Sequence, residues 1–277
     1  MADKSKIEWT DATWNPITGC SVVSPGCTNC YAMRLAGTRL RNHPSRAGLT
    51  QDSKAGPVWN GQVRFNEQWL DQPLRWKRPR RIFVCAHGDL FHENVPDWWI
   101  VRVFAVMETC QHHIFQVLTK RPERAREFIP IASQAVRTAC INGVGQGYRG
   151  GLVWPLPNVW LGTSIEDQAR ADERIPFLLD TPAAVRFLSY EPALGPLDLR
   201  EVSTAGVGAA AGNKMADCLH WVICGGESGP SARPMHPDWA RSIRDQCQEA
   251  GVAFFMKQMA KKAPIPDDLM VREYPDG

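Results

Sequence analysis

Six short apolar runs in a chain of 277 residues limit its possible folds more than any other feature. They are RIFVCA (81–86), HIFQVLT (113–119), VWLGTS (159–164), VRFLSY (185–190), WVICGG (221–226) and AFFMKQ (253–258). None alternates cleanly between apolar and polar, as expected of strands covered on both faces. Their starts lie roughly 25 to 45 residues apart, the length of a strand–helix unit. Helical patterns fall between them. In 96–110, Ile100, Val103, Phe104 and Met107 share one face behind Pro96 and Asp97. In 236–251, Ala240, Ile243, Cys247 and Ala250 form a stripe between Pro237 and Gly251. Pro176 is expected to interrupt a weaker helix in QARADERIPFLLD, and an early strand is expected within IEWTDATWNP.

Alternating strands and helices imply a parallel sheet with right-handed crossovers. The predicted class is α/β: a (βα) barrel, partial or irregular and TIM-like, with six to seven parallel strands. One domain is expected over 1–277, with insertions near 41–62, 141–158 and 203–217. The choice of barrel over open sheet rests on the strand ends. Almost all carry reactive-type residues: His87 and Asp89; Thr119, Lys120 and Arg121; Ser164 and Glu166; Tyr190 and Glu191; Glu227 and Ser228; Lys257 and Gln258. A barrel gathers such ends at one mouth, where sites of this architecture sit. The literal G-x-G-x-x-G at 145–150 is not a dinucleotide site, since no strand precedes it and LVWPLP cannot open the required helix.

No run reaches the roughly 20 apolar residues of a membrane span. The start, MADKSKIEWTDATW, lacks the apolar stretch of a signal peptide. A cytoplasmic protein with reduced thiols and no membrane partner is expected. Charge is uneven: residues 34–81 hold eleven Lys or Arg against three acids, so this segment carries +8 of a net +3. Its densest part is RWKRPRR (75–81), where basic residues flank Trp76, a composition suited to a phosphate backbone and exposed bases. Arg34, Arg75, Lys77, Arg78, Arg80, Lys120 and Arg121 are the candidate nucleic-acid contacts.

Cys20, Cys27 and Cys30 stand in the loop GCSVVSPGCTNC, within a proposed cluster loop over 19–31. Gly19, Pro25 and Gly26 mark it as turn-rich rather than core. An odd total of nine cysteines does not fit a disulfide framework. A structural zinc site needs four protein ligands, and no second C-x2-C pair is present. Three soft thiolates suit an iron–sulfur cluster with one iron open to a small molecule. A zinc ion and three unconnected buried thiols remain as alternatives. The other six cysteines read as small buried hydrophobes.

A three-cysteine loop after the first strand of a βα barrel resembles the radical S-adenosylmethionine superfamily. More closely, WNPITGCSVVSPGCTNCYA, PLRWKRPRRIFVCAHGDLFHENVP, LTKRP, VWLGTSIE, RFLSYEPALGPL and WVICGGESGPSARPM resemble a family of phage and bacterial proteins long carried as phage proteins of unknown function. That family is similar to spore photoproduct lyase, and some members are taken to be light-dependent DNA photolyases. The resemblance spans about residues 7–260. It implies a [4Fe-4S] cluster on Cys20, Cys27 and Cys30, S-adenosylmethionine as a further ligand, and a lyase-type enzyme that repairs ultraviolet-induced pyrimidine lesions in DNA. The superfamily motif that holds the methionine amino group corresponds here to AHGDLF, which implicates Asp89. The GGE at 225–227 ends a later strand and is not that motif.

On this reading Asp89, Ser164, Glu166 and Glu227 are the cofactor-binding candidates. Tyr190, Glu191 and Lys257 are the catalytic ones, with Tyr190 stacking on a base. His87, Asp89, His92 and Glu93 form a weaker, mononuclear metal candidate. Nothing in the sequence identifies a flavin or antenna pigment, and the eleven tryptophans read first as core. Two other functions stay open: modification of RNA or a nucleotide by a similar enzyme, and a non-enzymatic nucleic-acid-binding module stabilised by a cluster or zinc.

Overall fold

The computed structural model describes residues 5–144, 150–203 and 218–275. Residues 145–149 of the G-x-G-x-x-G stretch and 204–217 of the last insertion lie outside them. The elements run in order β1 (Ala12–Trp14), β2 (Ile17–Thr18), α1 (Tyr31–Gly37), β3 (Thr50–Ser53), β4 (Gly56–Trp59), β5 (Arg64–Phe65), β6 (Arg81–Val84), α2 (Asp97–Thr109) and β7 (Ile114–Thr119). They continue with α3 (Pro122–Phe128), α4 (Ser133–Ile141), β8 (Val159–Ile165), α5 (Gln168–Asp180), β9 (Val185–Tyr190), β10 (Trp221–Gly225), α6 (Pro237–Ala250) and β11 (Ala253–Gln258).

Seven strands form one sheet in the order β1-β6-β7-β8-β9-β10-β11, every pair parallel. All six apolar runs are strands of it, and β1 supplies the early strand. The sheet is curled. The Trp9 ring lies 4.7 Å from Phe83 on β6 and 6.2 Å from Trp221 on β10. In a flat sheet those strands, four spacings apart, would stand roughly 19 Å from each other. One indole reaches both only because the sheet wraps around it. The fold is a partial, TIM-like α/β half-barrel.

Side-chain parity along the strands separates two apolar groups. Phe83, Trp160, Phe187, Trp221, Ile223 and Phe255 face inward with Trp9 and form an aromatic floor. Leu161, Leu188, Tyr190, Val222 and Phe254 face outward, against the helices. β1 and β11 are the sheet's two edges. The chain after β11 folds back on that edge, bonding Met256 N to Val271 O (2.8 Å) and Glu273 N to Phe254 O (2.9 Å). Arg272 then pairs with Glu8 at 2.6 Å, and Arg81 lies over the Tyr274 ring at 4.0 Å. The C-terminal segment thus covers an exposed strand edge and bridges the seam at the floor end.

Helix ends follow local chemistry. The His236 side chain accepts from Asp238 N and Pro237 opens α6; Gly251 closes it in the left-handed region (φ 68°). One expectation fails: α5 runs unbroken through Pro176. Asp167 caps it by accepting from Arg170 N at 2.9 Å, and buried Ala171, Ile175, Leu178 and Leu179 anchor both sides of the proline. Tertiary packing outweighs the lost hydrogen bond, a penalty of about 3 kcal/mol. The 41–62 insertion contains the antiparallel β3–β4 hairpin, packed on α1. Among the described residues no helix is long and apolar enough to cross a membrane.

Candidate metal centre

The cysteine loop leaves β1 at the C-terminal end of the barrel. Gly19 (φ 98°) pairs with Gly88 beyond β6, and a Cβ there would overlap the Gln62 carbonyl. Only glycine lets the chain turn here, and the turn sets Cys20 against the end of β6. Cys27 ends a short 3-10 turn begun at Pro25, and Cys30 caps α1. At Gly26 a Cβ would overlap the Glu166 carboxylate, so the loop sits directly on that side chain.

No cysteine among these residues is in a disulfide: Cys27 is buried, Cys20 and Cys30 half-buried. Cys20 and Cys30 both pack against one apolar cluster of Ala32, Met33, Ala36, Leu49 and Trp59, and Cys27 lies between them in the loop. Polar groups reach two of the three sulfurs. Arg121 Nη1 donates to Cys20 Sγ at 3.7 Å. Ser24 Oγ stands 3.9 Å from Cys27 Sγ. Burial and the Asp89 charge still push the Cys20 thiol up to about 12 against Arg121, and burial raises Cys30. A bound cation therefore has to displace protons from these thiols. Donors aimed at sulfur are what a thiolate-held metal requires. Among the described residues, no three His, Cys, Asp or Glu side chains are grouped to chelate one ion.

Three predicted carboxylates surround this loop, and all are engaged. Asp89 accepts from Thr119 Oγ1 (2.7 Å), Phe91 N (3.0 Å), Lys120 N (3.0 Å) and Arg121 Nη1 (3.1 Å). It thereby aims Arg121 at Cys20. Fully buried Glu166 accepts from Ser24 Oγ (2.7 Å), from Lys120 Nζ and from Arg174 Nη1 (3.2 Å). Burial acts to raise the Glu166 pKa, but Lys120 and Arg174 outweigh it and hold the carboxyl below its ordinary range. Glu227 accepts from Asn29 Nδ2 at 2.8 Å and pairs with Arg233, whose Nη2 also reaches Pro25 O at 2.9 Å. These contacts tie the loop to the ends of β6, β7, β8 and β10. Ser164 is buried, and its carbonyl accepts from Arg174 Nη1 at 2.8 Å.

Inward parity carries Ser189 and Glu191 beyond β9, and Lys257 on β11, above the floor. Lys257 Nζ donates to Glu191, beside Gly225. Tyr190 has the opposite parity. It is fully buried among the outward apolar residues and its hydroxyl bonds to Gly195 O, so it cannot stack on a base at the mouth. Tyr31 is exposed beside the loop instead: its hydroxyl donates to Ala86 O at 2.6 Å, it meets the His87 ring edge-on, and it is 43% exposed.

The basic stretch lies away from the cysteine loop. Arg75, Lys77, Arg78 and Arg80 precede β6, so they lie at the floor end, opposite the cysteines. Arg75 pairs with Asp71, and Arg80 lies over Trp76 at 4.8 Å. Lys120 and Arg121 are at the mouth but occupied by carboxylates. Arg34 is exposed on α1, its guanidinium beside Gly229.

The mononuclear candidate does not assemble. His92 Nδ1 accepts from Asn94 N (3.1 Å), which leaves the proton on Nε2 for Ser21 Oγ (2.7 Å), and Ser21 donates to Glu93 (3.0 Å). Burial lowers the pKa of His87, His92 and His113 to about 4 each, with nearby positive charge adding. These rings stay neutral in the fold, but protonate near 6.5 when unfolded. The unfolded chain then binds more protons between those values, so stability is complete above pH 6.5 and drains away toward pH 4. Urea titrations across that window should show a loss corresponding to about three protons, and His113→Gln should remove about one of them. A flat profile would contradict this burial.

Sequence reasoning missed Ser24, Asn29, Tyr31, Arg174 and Arg233. Only Arg174 left a signal, as a cation beside Ile175 in the apolar stripe of α5. Comparison with curated proteins returned no match, and neither did comparison with solved structures. A family model described as "Protein of unknown function (DUF5131)" matches residues 4–270. With nearly the whole chain matched, the protein belongs to the DUF5131 family.

Proposed function

We infer that the protein is a cytoplasmic iron–sulfur enzyme that acts on DNA and reverses ultraviolet-induced pyrimidine lesions. The observation that carries this reading is a turn-rich loop of three cysteines at a barrel mouth, none in a disulfide, with the Arg121 guanidinium directed at the Cys20 sulfur. Cys20, Cys27 and Cys30 would hold a [4Fe-4S] cluster, which supplies one-electron chemistry at an iron left for S-adenosylmethionine. The resemblance to spore photoproduct lyase and light-dependent photolyases supports the choice of substrate.

The chain's own residues have distinct tasks in this reading. Arg121, held by Asp89 and Glu93, donates to the Cys20 sulfur and so tunes its electron density. The Tyr31 face receives a base. In duplex DNA that base must leave the stack, and a damaged base costs less to extrude. The Lys257–Glu191 pair holds a proton at Nζ above the floor, and the aromatic floor excludes water from below. Anaerobic protein incubated with irradiated oligonucleotide, in light and in dark, with and without S-adenosylmethionine, should remove lesions in at least one condition. No loss of lesion in all four would overturn the reading. Selective turnover of undamaged RNA would move the site to RNA modification.

A further inference from the structure

Cations inside the mouth are neutralised. Lys120 and Arg174 meet Glu166, Arg121 meets Asp89 and Glu93, Arg233 meets Glu227, and Lys257 meets Glu191. None of these is free to hold a phosphate. Just outside the mouth the pattern reverses. Lys261 and Lys262 follow β11 and are exposed, and among the described residues neither side chain meets a carboxylate. The same holds for Arg34.

Backbone geometry joins the three. Lys261 (φ 56°) and Lys262 (φ 58°) both occupy the left-handed region, which costs a non-glycine residue free energy. The turn is held there by Lys261 N to Glu227 O (2.8 Å) and Lys262 N to Met259 O (3.1 Å), and by Gly226, where a Cβ would press on Ala260. Arg34 lies against Gly229, two residues after Glu227. All three cations thus flank one segment, 227–229, whose Glu227 also bonds to Asn29 of the cysteine loop. Glycine would relieve the strain at both lysine positions, yet lysine stands there. Strain retained at a site's rim is an outlier that points to function.

We propose that Lys261, Lys262 and Arg34 form the phosphate-gripping rim of the site, binding the DNA backbone beside the base that enters the mouth. The assignment rests on the DNA reading above. It replaces the 75–80 stretch, whose side chains lie at the opposite end of the barrel.

The test uses anaerobically purified full-length protein and a labelled single-stranded DNA oligonucleotide, with affinity measured across a salt series. The K261G/K262G variant should have a higher Tm than the parent, because glycine accepts the left-handed backbone. It should bind about tenfold more weakly at low salt, with a log–log salt slope shallower by about 1.4, since each lost phosphate contact accounts for about 0.7 on single strands. Arg34→Gln should lower the slope by about half as much, and K77Q/R78Q should bind as the parent does. Parental affinity and slope in both rim variants, or a loss confined to K77Q/R78Q, would overturn the rim while leaving the DNA reading intact. Tighter binding to RNA of the same sequence would overturn the choice of DNA. A parent protein that binds neither nucleic acid would overturn rim and reading together.

Discussion

Glu166→Ala is expected to destabilise the protein by about 3–5 kcal/mol, the cost of removing one partner from a buried ion pair. The carboxylate is fully buried, and Arg174 beside it is 2% exposed. Alanine leaves that guanidinium with only the Ser164 carbonyl and strands Lys120 Nζ. For a chain of this size each kcal/mol shifts Tm by roughly 2–4 °C, so a fall of about 10 °C is expected. The effect also reaches the cysteine loop, because Ser24 loses its acceptor and the close fit at Gly26 disappears. Glu166→Gln keeps the shape and an acceptor oxygen but not the charge, and should fall between the two. Thermal melts decide the matter. An alanine variant within about 1 kcal/mol of the parent would mean that the triad is not structural.

On the proposed reading, replacing Cys20, Cys27 or Cys30 singly by alanine is expected to abolish cluster binding. Two thiolates cannot retain a cube already short of one protein ligand. Cys247→Ala is the control: it removes a buried thiol from the core face of α6 and should keep the cluster. Visible absorption of anaerobically reconstituted variants separates the cases. Retention in all three loop variants would make these cysteines ordinary core thiols. Arg121→Gln should keep the iron but shift its reduction potential, since it changes a charged donor at one sulfur rather than a ligand.

The architecture was legible because strands buried on both faces write themselves as unbroken apolar runs, and all six runs became strands of the main sheet. The gathering of Asp89, Lys120, Arg121 and Glu166 was legible as well, since a parallel sheet brings every strand end to one side. One error, at Tyr190, and one position left unread, that of the basic stretch, come from not carrying that geometry through. In a strand, Ser189 and Glu191 share a face and Tyr190 has the other, so parity alone turns Tyr190 away from the lumen. The RWKRPRR stretch precedes its strand, so direction alone sends it to the floor end. The remainder depends on contacts between distant segments. Asn29 meets Glu227 and Ser24 meets Glu166 across 198 and 142 residues of sequence. The left-handed backbone at Lys261 has no local signature, because nothing in MAKKAP demands it.

Iron and acid-labile sulfide in the anaerobically purified protein, read together with its visible spectrum before and after S-adenosylmethionine, test the central claim most directly. The account predicts about four iron and four sulfide per chain and a spectrum perturbed by the added ligand, as an iron without a protein ligand requires. Stoichiometric zinc without sulfide, or a metal-free protein that still removes lesions, would contradict it.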